Sequence, residues 1–320
     1  MSRLLAFLGG HATWVLFIGV FLGLALPSLS TLARPLLAPA VAVLLTATLV
    51  RVDWRVMLGY LKRPWISAAI IAWLLLGAPL AVAAALALLP LPVPLTTALV
   101  LMAAAPPILS AAPIAMILGL DGALALVVGL IATLLTPLTV PPLALALLGL
   151  ELDIGIGEFM TRLAMVVAIA FAAALVIRRL IGRERLPGVA KHLDGLVVAV
   201  MLVFAVAIMD GVTATLTARP GTVALWLIAA FIANPALQIA GALAFGWLGR
   251  RRALTVGLVS GNCNMGLLLA AFPPGTDTDV VLYFAVAQLP MYMLPAILLP
   301  IYRRLVVPEP DPESSSVRMS

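Results

Sequence analysis

The sequence predicts an all-helical integral membrane protein with ten transmembrane helices. Of its 320 residues, 64% are hydrophobic and only 10% are charged, and the mean hydropathy is +1.22. A soluble domain is about half apolar and about a quarter charged, so this chain has too few polar residues to cover a water-facing surface. The second observation is a series of long apolar segments separated by short charged or turn-rich breaks. Such segments are typical of transmembrane helices.

Ten apolar segments follow one another along the chain, and a helix of roughly 20 residues crosses a bilayer. They cover residues 11–29, 34–50, 65–89, 95–118, 122–148, 158–182, 191–216, 222–248, 253–272 and 278–303. The N-terminal segment lacks a convincing cleavage site of small residues, so we expect a first transmembrane helix and no removed signal peptide. Residues 307–320 are rich in proline and serine, and we expect a disordered cytoplasmic tail.

Lysine and arginine residues predict the orientation of the helices. With ten spans, the breaks after spans 2, 6 and 8 lie on the same side as both termini, and these places carry most of the basic residues. The other side keeps only Arg34, Arg162 and Arg219. We therefore expect a multi-pass protein of the inner (plasma) membrane with both termini in the cytoplasm. The net charge of +6 belongs to these short loops, so it does not indicate a nucleic-acid partner.

The ten predicted spans divide into two sets of five, separated by an acidic link at residues 151–162. Because five is odd, the second set must enter the membrane with the opposite orientation. Inverted repeats of this kind are common in secondary transporters. We therefore predict a first repeat in residues 1–150 and a second repeat in residues 151–306.

The fourth span of each half contains an interruption. In span 4, Pro106 and Pro107 lie in mid-helix, and the carbonyls of Met102, Ala103 and Leu109 are expected to lose their usual donors. In span 9, the stretch "SGNCN" at residues 260–264 places polar groups among glycines. Interrupted helices at matching positions predict a substrate site at the membrane midplane.

Ten residues near these interruptions are predicted to bind substrate through hydroxyl, amide, thiol or backbone groups. They are Pro106, Pro107, Ser110, Thr133, Thr136, Ser260, Asn262, Cys263, Asn264 and Gln288. The alternative explanation for span 9 is a stripe of small residues that packs closely against a neighbouring helix. For the hydroxyls and amides, the alternative is hydrogen bonding between helices.

Few charged residues lie inside the predicted spans. Asp210, near the end of span 7, is the candidate for proton coupling, and the alternative is an ordinary interfacial carboxylate. Asp121 is expected to cap the following helix. His11 is expected at the start of span 1 in an interfacial or capping role, and Asp53 in a surface link with basic neighbours.

Three segments carry a resemblance to a known family. They are "LVRVDWRVMLGYLKRP", "ILGLDGALALVVGLIATLLTPLTVPPL" and "NPALQIAGALAFGWLGRRRALTVGLVSGNCNMGLLLA". In order and spacing they resemble the bile acid:sodium symporter family of the bile-acid, arsenite and riboflavin transporter group. The resemblance implies two inverted five-helix repeats, a core and a panel domain, and broken helices 4 and 9 that cross. It also implies alternating access that carries an organic anion with sodium.

The chain departs from that family where sodium would bind. The family's Pro-Gly-Gly is Pro106, Pro107 and Ile108 here, and its Ser-Asn pair is Ala111 and Ala112. Helix 5 hydroxyls are replaced by Ala125 and Gly129, a helix 9 glutamate and glutamine by Val259 and Cys263, and a helix 3 glutamine by Leu74. Sodium prefers several oxygen ligands. The departures therefore predict that the usual two-sodium mechanism is lost.

We expect a secondary active transporter of a small organic anion in the lipid bilayer. The alternatives are a proton-coupled or uncoupled carrier with the same fold, and a membrane receptor or sensor that does not transport. The sequence has no phosphate-binding loop and no catalytic triad pattern, so we expect no enzyme. Its single cysteine and two histidines disfavour a metal site, and we expect no cofactor and no obligate protein partner.

Overall fold

The structure is a computed structural model that describes residues 12–52, 64–148, 155–182, 186–272 and 275–306. Within these ranges the chain forms helices and the turns that join them, and its extended pairing is limited to one isolated antiparallel bridge. His11, Asp53 and the predicted tail at 307–320 lie outside the described residues. The all-helical class predicted from the sequence is confirmed for the described part of the chain.

The helices are named in chain order. In the first half they are α1 (Ala12–Ala25), α2 (Pro27–Arg51), α3 (Pro64–Leu86), α4 (Val93–Ala104), α5 (Ala111–Ile117) and α6 (Gly122–Leu148). In the second half they are α7 (Ile156–Ile181), α8 (Leu186–Ala207), α9 (Val212–Ala218), α10 (Pro220–Ala244), α11 (Arg250–Gly261), α12 (Met265–Ala271), α13 (Thr278–Val286) and α14 (Gln288–Leu305). The winding changes inside two of them, with a 3-10 turn in α2 at Arg34–Leu36 and a π-helical turn in α3 at Trp73–Gly77.

Seven helical stretches of the described chain are long and apolar enough to cross a membrane. They correspond to the predicted spans at 34–50, 65–89, 122–148, 158–182, 191–216, 222–248 and 278–303. The protein is therefore a multi-pass membrane protein. The other predicted spans, at 11–29, 95–118 and 253–272, contain shorter helices, namely α1, the pair α4 and α5, and the pair α11 and α12. The count of ten spans and the division into two repeats stay predictions.

The helices pack in two groups. The first consists of α1, α2, α7 and α8, and the second contains α3 to α6 and α10 to α14. The groups meet where α12 contacts α2 and α7, and where α6 contacts α7. Within the first group, Arg178 of α7 donates to the carbonyls of Val50 and Val52, at 2.6 and 2.7 Å. This arginine therefore satisfies carbonyls at the end of α2 that have no helical donor.

Glycines bring α10 and α11 into close contact. A Cβ atom added to Gly257 would lie 2.5 Å from the carbonyl oxygen of Gln238, and one added to Gly261 would lie 2.5 Å from that of Asn234. Small residues let the backbones of membrane helices approach closely. The glycine stripe of span 9 therefore packs against α10, as the alternative explanation predicted.

Carboxylates precede and cap two helices, α6 and α13. Asp121 accepts a hydrogen bond from the backbone N–H of Leu124 at 3.0 Å, which confirms its predicted capping of α6. Asp277 accepts one from the N–H of Asp279 at 2.7 Å and starts α13 in the same way. These caps fix where each helix leaves the preceding turn.

Candidate functional site

The two interruptions lie next to each other. One is the segment between α4 and α5, and the other is the segment between α11 and α12. The backbone N–H of Ile108 donates to the carbonyl of Asn262 at 2.9 Å, and that of Asn264 donates to the carbonyl of Pro106 at 2.6 Å. Pro107 and Cys263 face each other across this antiparallel bridge. The two interrupted helices thus share a short two-stranded contact.

The two prolines occupy positions of this contact that require no N–H donor. Pro106 only accepts, and Pro107 belongs to the pair of opposed residues that exchange no hydrogen bond with each other. A proline elsewhere in the contact, at Ile108, would remove one of its two hydrogen bonds. The proline pair therefore ends α4 and also suits the pairing that follows.

The carbonyl groups freed by the prolines are partly satisfied. Met102 accepts from the N–H of Ala105 at 3.1 Å, and Leu109 accepts from the N–H of Ala112 at 3.3 Å, because the chain tightens locally to three-residue turns. As predicted, these two carbonyls lose their usual i+4 donors, because Pro106 and Pro113 have no N–H, but each of them gains a donor three residues further on. Ala103 differs, since both residues that could supply a helical donor are prolines.

The polar side chains of the second interruption mostly bond to nearby backbone. Ser260 donates to the carbonyl of Val256 at 2.8 Å and accepts from Nε1 of Trp73 at 3.0 Å. The thiol of Cys263 donates to the carbonyl of Ser260 at 3.2 Å. Asn264 caps α12, because its Oδ1 accepts from the N–H of Leu267 at 3.2 Å. These side chains therefore stabilise the backbone around the interruption as well as line it.

Asn262 has one unused polar atom. Its Nδ2 donates to the carbonyl of Leu258 at 2.8 Å, whereas Oδ1 is buried and has no hydrogen-bond partner among the described residues. The whole residue is 1% exposed. A buried amide oxygen without a hydrogen-bond donor raises the free energy of the folded protein. Binding of a group that donates a hydrogen bond to this oxygen would therefore be favourable.

A chain of amide and hydroxyl groups supports the second interruption. Nδ2 of Asn234 donates to the carbonyl of Gly261 at 2.8 Å, Nε2 of Gln238 donates to Oδ1 of Asn234 at 2.6 Å, and the hydroxyl of Tyr302 donates to Oε1 of Gln238 at 2.6 Å. Both amides are buried. No sequence pattern indicated Tyr302, since only packing brings the end of α14 to α10.

The four other predicted site residues are not hydrogen-bonded to the interruptions within the described chain. Thr133 and Thr136 are buried and donate to carbonyls of their own helix, α6, at 2.7 and 2.8 Å. Ser110 is exposed. Gln288 is buried, and its Nε2 donates to the carbonyl of Phe284 at 3.1 Å. Its Oε1, like Oδ1 of Asn262, has no partner among the described residues.

Five of the positions where the resemblance implies sodium ligands belong to one apolar cluster. Leu74, Ala111, Ala112, Ala125 and Val259 are each at most 5% exposed and belong to the same hydrophobic core. Beside this cluster, a Cβ added to Gly129 would lie 3.4 Å from a side-chain carbon of Leu109. Hydrocarbon therefore fills the space that the resemblance assigns to cation ligands.

A separate space, the Arg34 cavity, has a volume of about 770 Å³. It is lined by residues of α2, α7, α9, α12 and α13 and of the turns that follow α8 and α12. Asp210 lines it, with Oδ1 accepting from the hydroxyl of Thr31 at 2.7 Å and Oδ2 from Nη1 of Arg34 at 3.0 Å. None of the ten predicted substrate-binding residues lines this cavity.

Comparisons of the chain with protein-family models and with curated proteins find no match. The resemblance to the bile acid:sodium symporter family is therefore a prediction carried by the quoted motifs.

Proposed function

We propose that the protein is a secondary active transporter of a small organic anion that works by alternating access, with the fold of the bile acid:sodium symporters. The observation that carries this proposal is the antiparallel contact between two interrupted helices, at Pro107 and Cys263. Transporters commonly build their substrate sites from discontinuous helices in corresponding positions of two repeats. An interruption in one helix alone would be much weaker support for a transporter, because proline and glycine are common in membrane helices.

Two inverted repeats are supported by a constant spacing along the chain. Residues 107 and 263, which face each other, differ by 156 positions. The same difference relates four pairs of helix boundaries: Ala25 with Ile181, Arg51 with Ala207, Pro64 with Pro220, and Asp121 with Asp277. An antiparallel pair has a local two-fold axis between its opposed residues. Two repeats of opposite orientation are also related by a two-fold axis, and an axis between Pro107 of the first half and Cys263 of the second is consistent with such an arrangement.

The two packing groups support the division into a panel and a core. In the proposed fold, the first packing group (α1, α2, α7 and α8) forms the panel, and the second (α3 to α6 and α10 to α14) forms the core with the crossing inside it. The Arg34 cavity has walls from both. By the distribution of lysine and arginine, it opens to the non-cytoplasmic side. We propose that this is the outward-open state.

Transport is proposed to be independent of sodium. This part is supported by the apolar cluster at the expected sodium positions, because hydrocarbon side chains supply no oxygen ligands. Among the side chains of the described residues, the amide oxygens of Asn262 and Gln288 are the buried acceptors without a hydrogen-bond partner. We propose that they accept hydrogen bonds from a substrate that carries hydroxyl groups as well as an acidic group.

Uptake into proteoliposomes tests the proposed function. We expect the purified protein to accumulate a member of a panel of radiolabelled organic acids, and to do so equally when potassium replaces sodium. A collapse of uptake in potassium would contradict sodium independence while leaving the transporter proposal intact. Uptake that stops with a protonophore would favour the proton-coupled alternative. Specific binding with no net flux would favour the receptor alternative.

Asn264 gives a prediction that separates capping from substrate binding. The variant Asn264→Ala should lose about 1 kcal/mol of stability through the missing cap on α12 and should transport more slowly. The variant Asn264→Ser retains a capping oxygen, so its thermal unfolding midpoint should match that of the wild type. If Asn264→Ser also transports like the wild type, the amide has no role beyond the cap.

A further inference from the structure

The Arg34 cavity combines basic side chains with an apolar wall. Among the described residues, the charged side chains that line it are those of Arg34, Arg162 and Asp210, so in this set positive charge exceeds negative charge by one. The wall formed by α12 and α13 is mainly hydrocarbon, with Leu269 and Leu282 among its side chains. A net positive charge beside an apolar surface complements a ligand that is acidic at one end and apolar at the other.

These arginines are two of the three basic residues that the sequence places on the non-cytoplasmic side. The third, Arg219, is not part of the cavity lining and makes two hydrogen bonds to the carboxylate of Asp279, at 2.9 and 2.5 Å. Hydrogen bonding to Asp279 raises the pKa of the Arg219 guanidinium. Arg219 thus links the start of α10 to α13. Because it lies on the same side of the membrane but outside the cavity lining, it serves as a control for the two cavity arginines.

Both cavity arginines are exposed where they form their ion pairs. The side chain of Arg34 is 71% exposed and meets Oδ2 of Asp210 through Nη1 alone, at 3.0 Å, whereas the side chain of Asp210 is 16% exposed. Arg162 pairs with Glu158 one turn earlier on α7, at 2.7 Å, and both side chains are at least 40% exposed. Water screens the exposed guanidinium groups, so an incoming acid can compete for them.

We infer that the Arg34 cavity binds an amphipathic organic anion, whose acidic group is held by Arg34 and Arg162 and whose apolar part lies against α12 and α13. Asp210 forms an ion pair with Arg34, and the acidic group of the ligand replaces Asp210 in this pair when it binds. The second oxygen of Asp210 keeps the hydrogen bond from Thr31. The inference rests on the proposed function for the class of substrate, and it assigns that substrate a first binding place away from the helix crossing.

The test is a binding measurement on the full chain in nanodiscs, using naphthalene-2-sulfonate as the anion and 2-naphthol as its uncharged match. We expect Arg34→Gln and Arg162→Gln each to weaken binding of the sulfonate by about tenfold, since a charge-assisted hydrogen bond is lost. Binding of 2-naphthol should not change. The control Arg219→Gln, which removes an equal charge from the same side, should bind the sulfonate like the wild type.

Asp210→Asn gives a result of opposite sign. The neutral amide no longer holds Arg34 by charge, so affinity for the sulfonate should rise by up to about fivefold. This factor corresponds to the free energy of a weak ion pair. Arg34→Lys keeps the charge and should retain most of the affinity, and the thermal unfolding midpoint of each variant checks that it is folded. Weaker binding by Asp210→Asn would overturn its role as a competitor.

Two further outcomes would overturn the site. One is wild-type affinity in both Arg34→Gln and Arg162→Gln, and the other is an equal loss in Arg219→Gln, which would indicate a general charge effect. The result is independent of transport. Sulfonate binding that follows the expected order, in a protein that moves no organic acid, would support this site and contradict the proposed function.

Discussion

Mild oxidation of a Pro107→Cys variant is expected to join residues 107 and 263 by a disulfide in most folded molecules. Cys263 is the single cysteine of the chain, so the variant contains one possible pair. Opposed residues of an antiparallel pair without mutual hydrogen bonds have Cα atoms about 4.5 Å apart, within the range that disulfides span. Thiol labelling after denaturation and the mass of the intact chain measure the outcome.

Ser110→Cys is the matched control for this experiment. Ser110 lies three residues further along the same interruption, is exposed, and does not face Cys263 in the bridge. Its two thiols should stay free under the same oxidation. Two free thiols in folded Pro107→Cys protein would show that the interruptions do not pair as described, and would remove the main support for the proposed function.

Replacement of Gly261 by valine should destabilise the protein more than other single changes in α11. The new Cβ would lie 2.5 Å from the carbonyl oxygen of Asn234, and it would also collide with the side chain of Gln238. Because the first of these atoms belongs to the backbone of α10, the helices must separate. We expect a cost of about 3 kcal/mol and a fall of roughly 5–10 °C in the thermal unfolding midpoint.

Gly221→Val provides the comparison for this change. A Cβ at Gly221 meets no atom within 4 Å, although this glycine lies in α10, a helix of the second packing group. Both variants carry the same low helix propensity of valine, so the difference between their midpoints measures the contact of α10 with α11. Equal midpoints would show that this contact tolerates a side chain and that the glycines are not required for packing.

The interruption of span 4 illustrates what local chemistry determines. Pro106 and Pro107 lack N–H groups whatever surrounds them, so the end of α4 was predictable from the sequence. The same holds for Asp121, whose position before an apolar run indicates a helix cap. The consequence of the break was less predictable. The carbonyls of Met102 and Leu109 found new donors by local tightening, which depends on the path of the chain after the prolines.

The polar groups of span 9 show where sequence patterns are ambiguous. Glycines and a polar cluster in a membrane helix fit close packing and a binding site equally well. In the structure Gly257 and Gly261 pack against α10, while Asn262 and Asn264 belong to the break between α11 and α12. The helical spacing of Gly257, Ser260, Gly261 and Asn264 predicts one stripe but gives no information about the neighbour that the stripe faces.

The sequence by itself determined the class of the protein, most helix boundaries and the interruptions of spans 4 and 9. These follow from hydropathy, proline and capping groups, each of which acts within a few residues of the chain. Only the tertiary structure decided that Pro107 meets Cys263, that Tyr302 joins the amides of α10, and that Arg34 meets Asp210. Such contacts join segments far apart in the chain, and they depend on how whole helices pack, which no local pattern specifies.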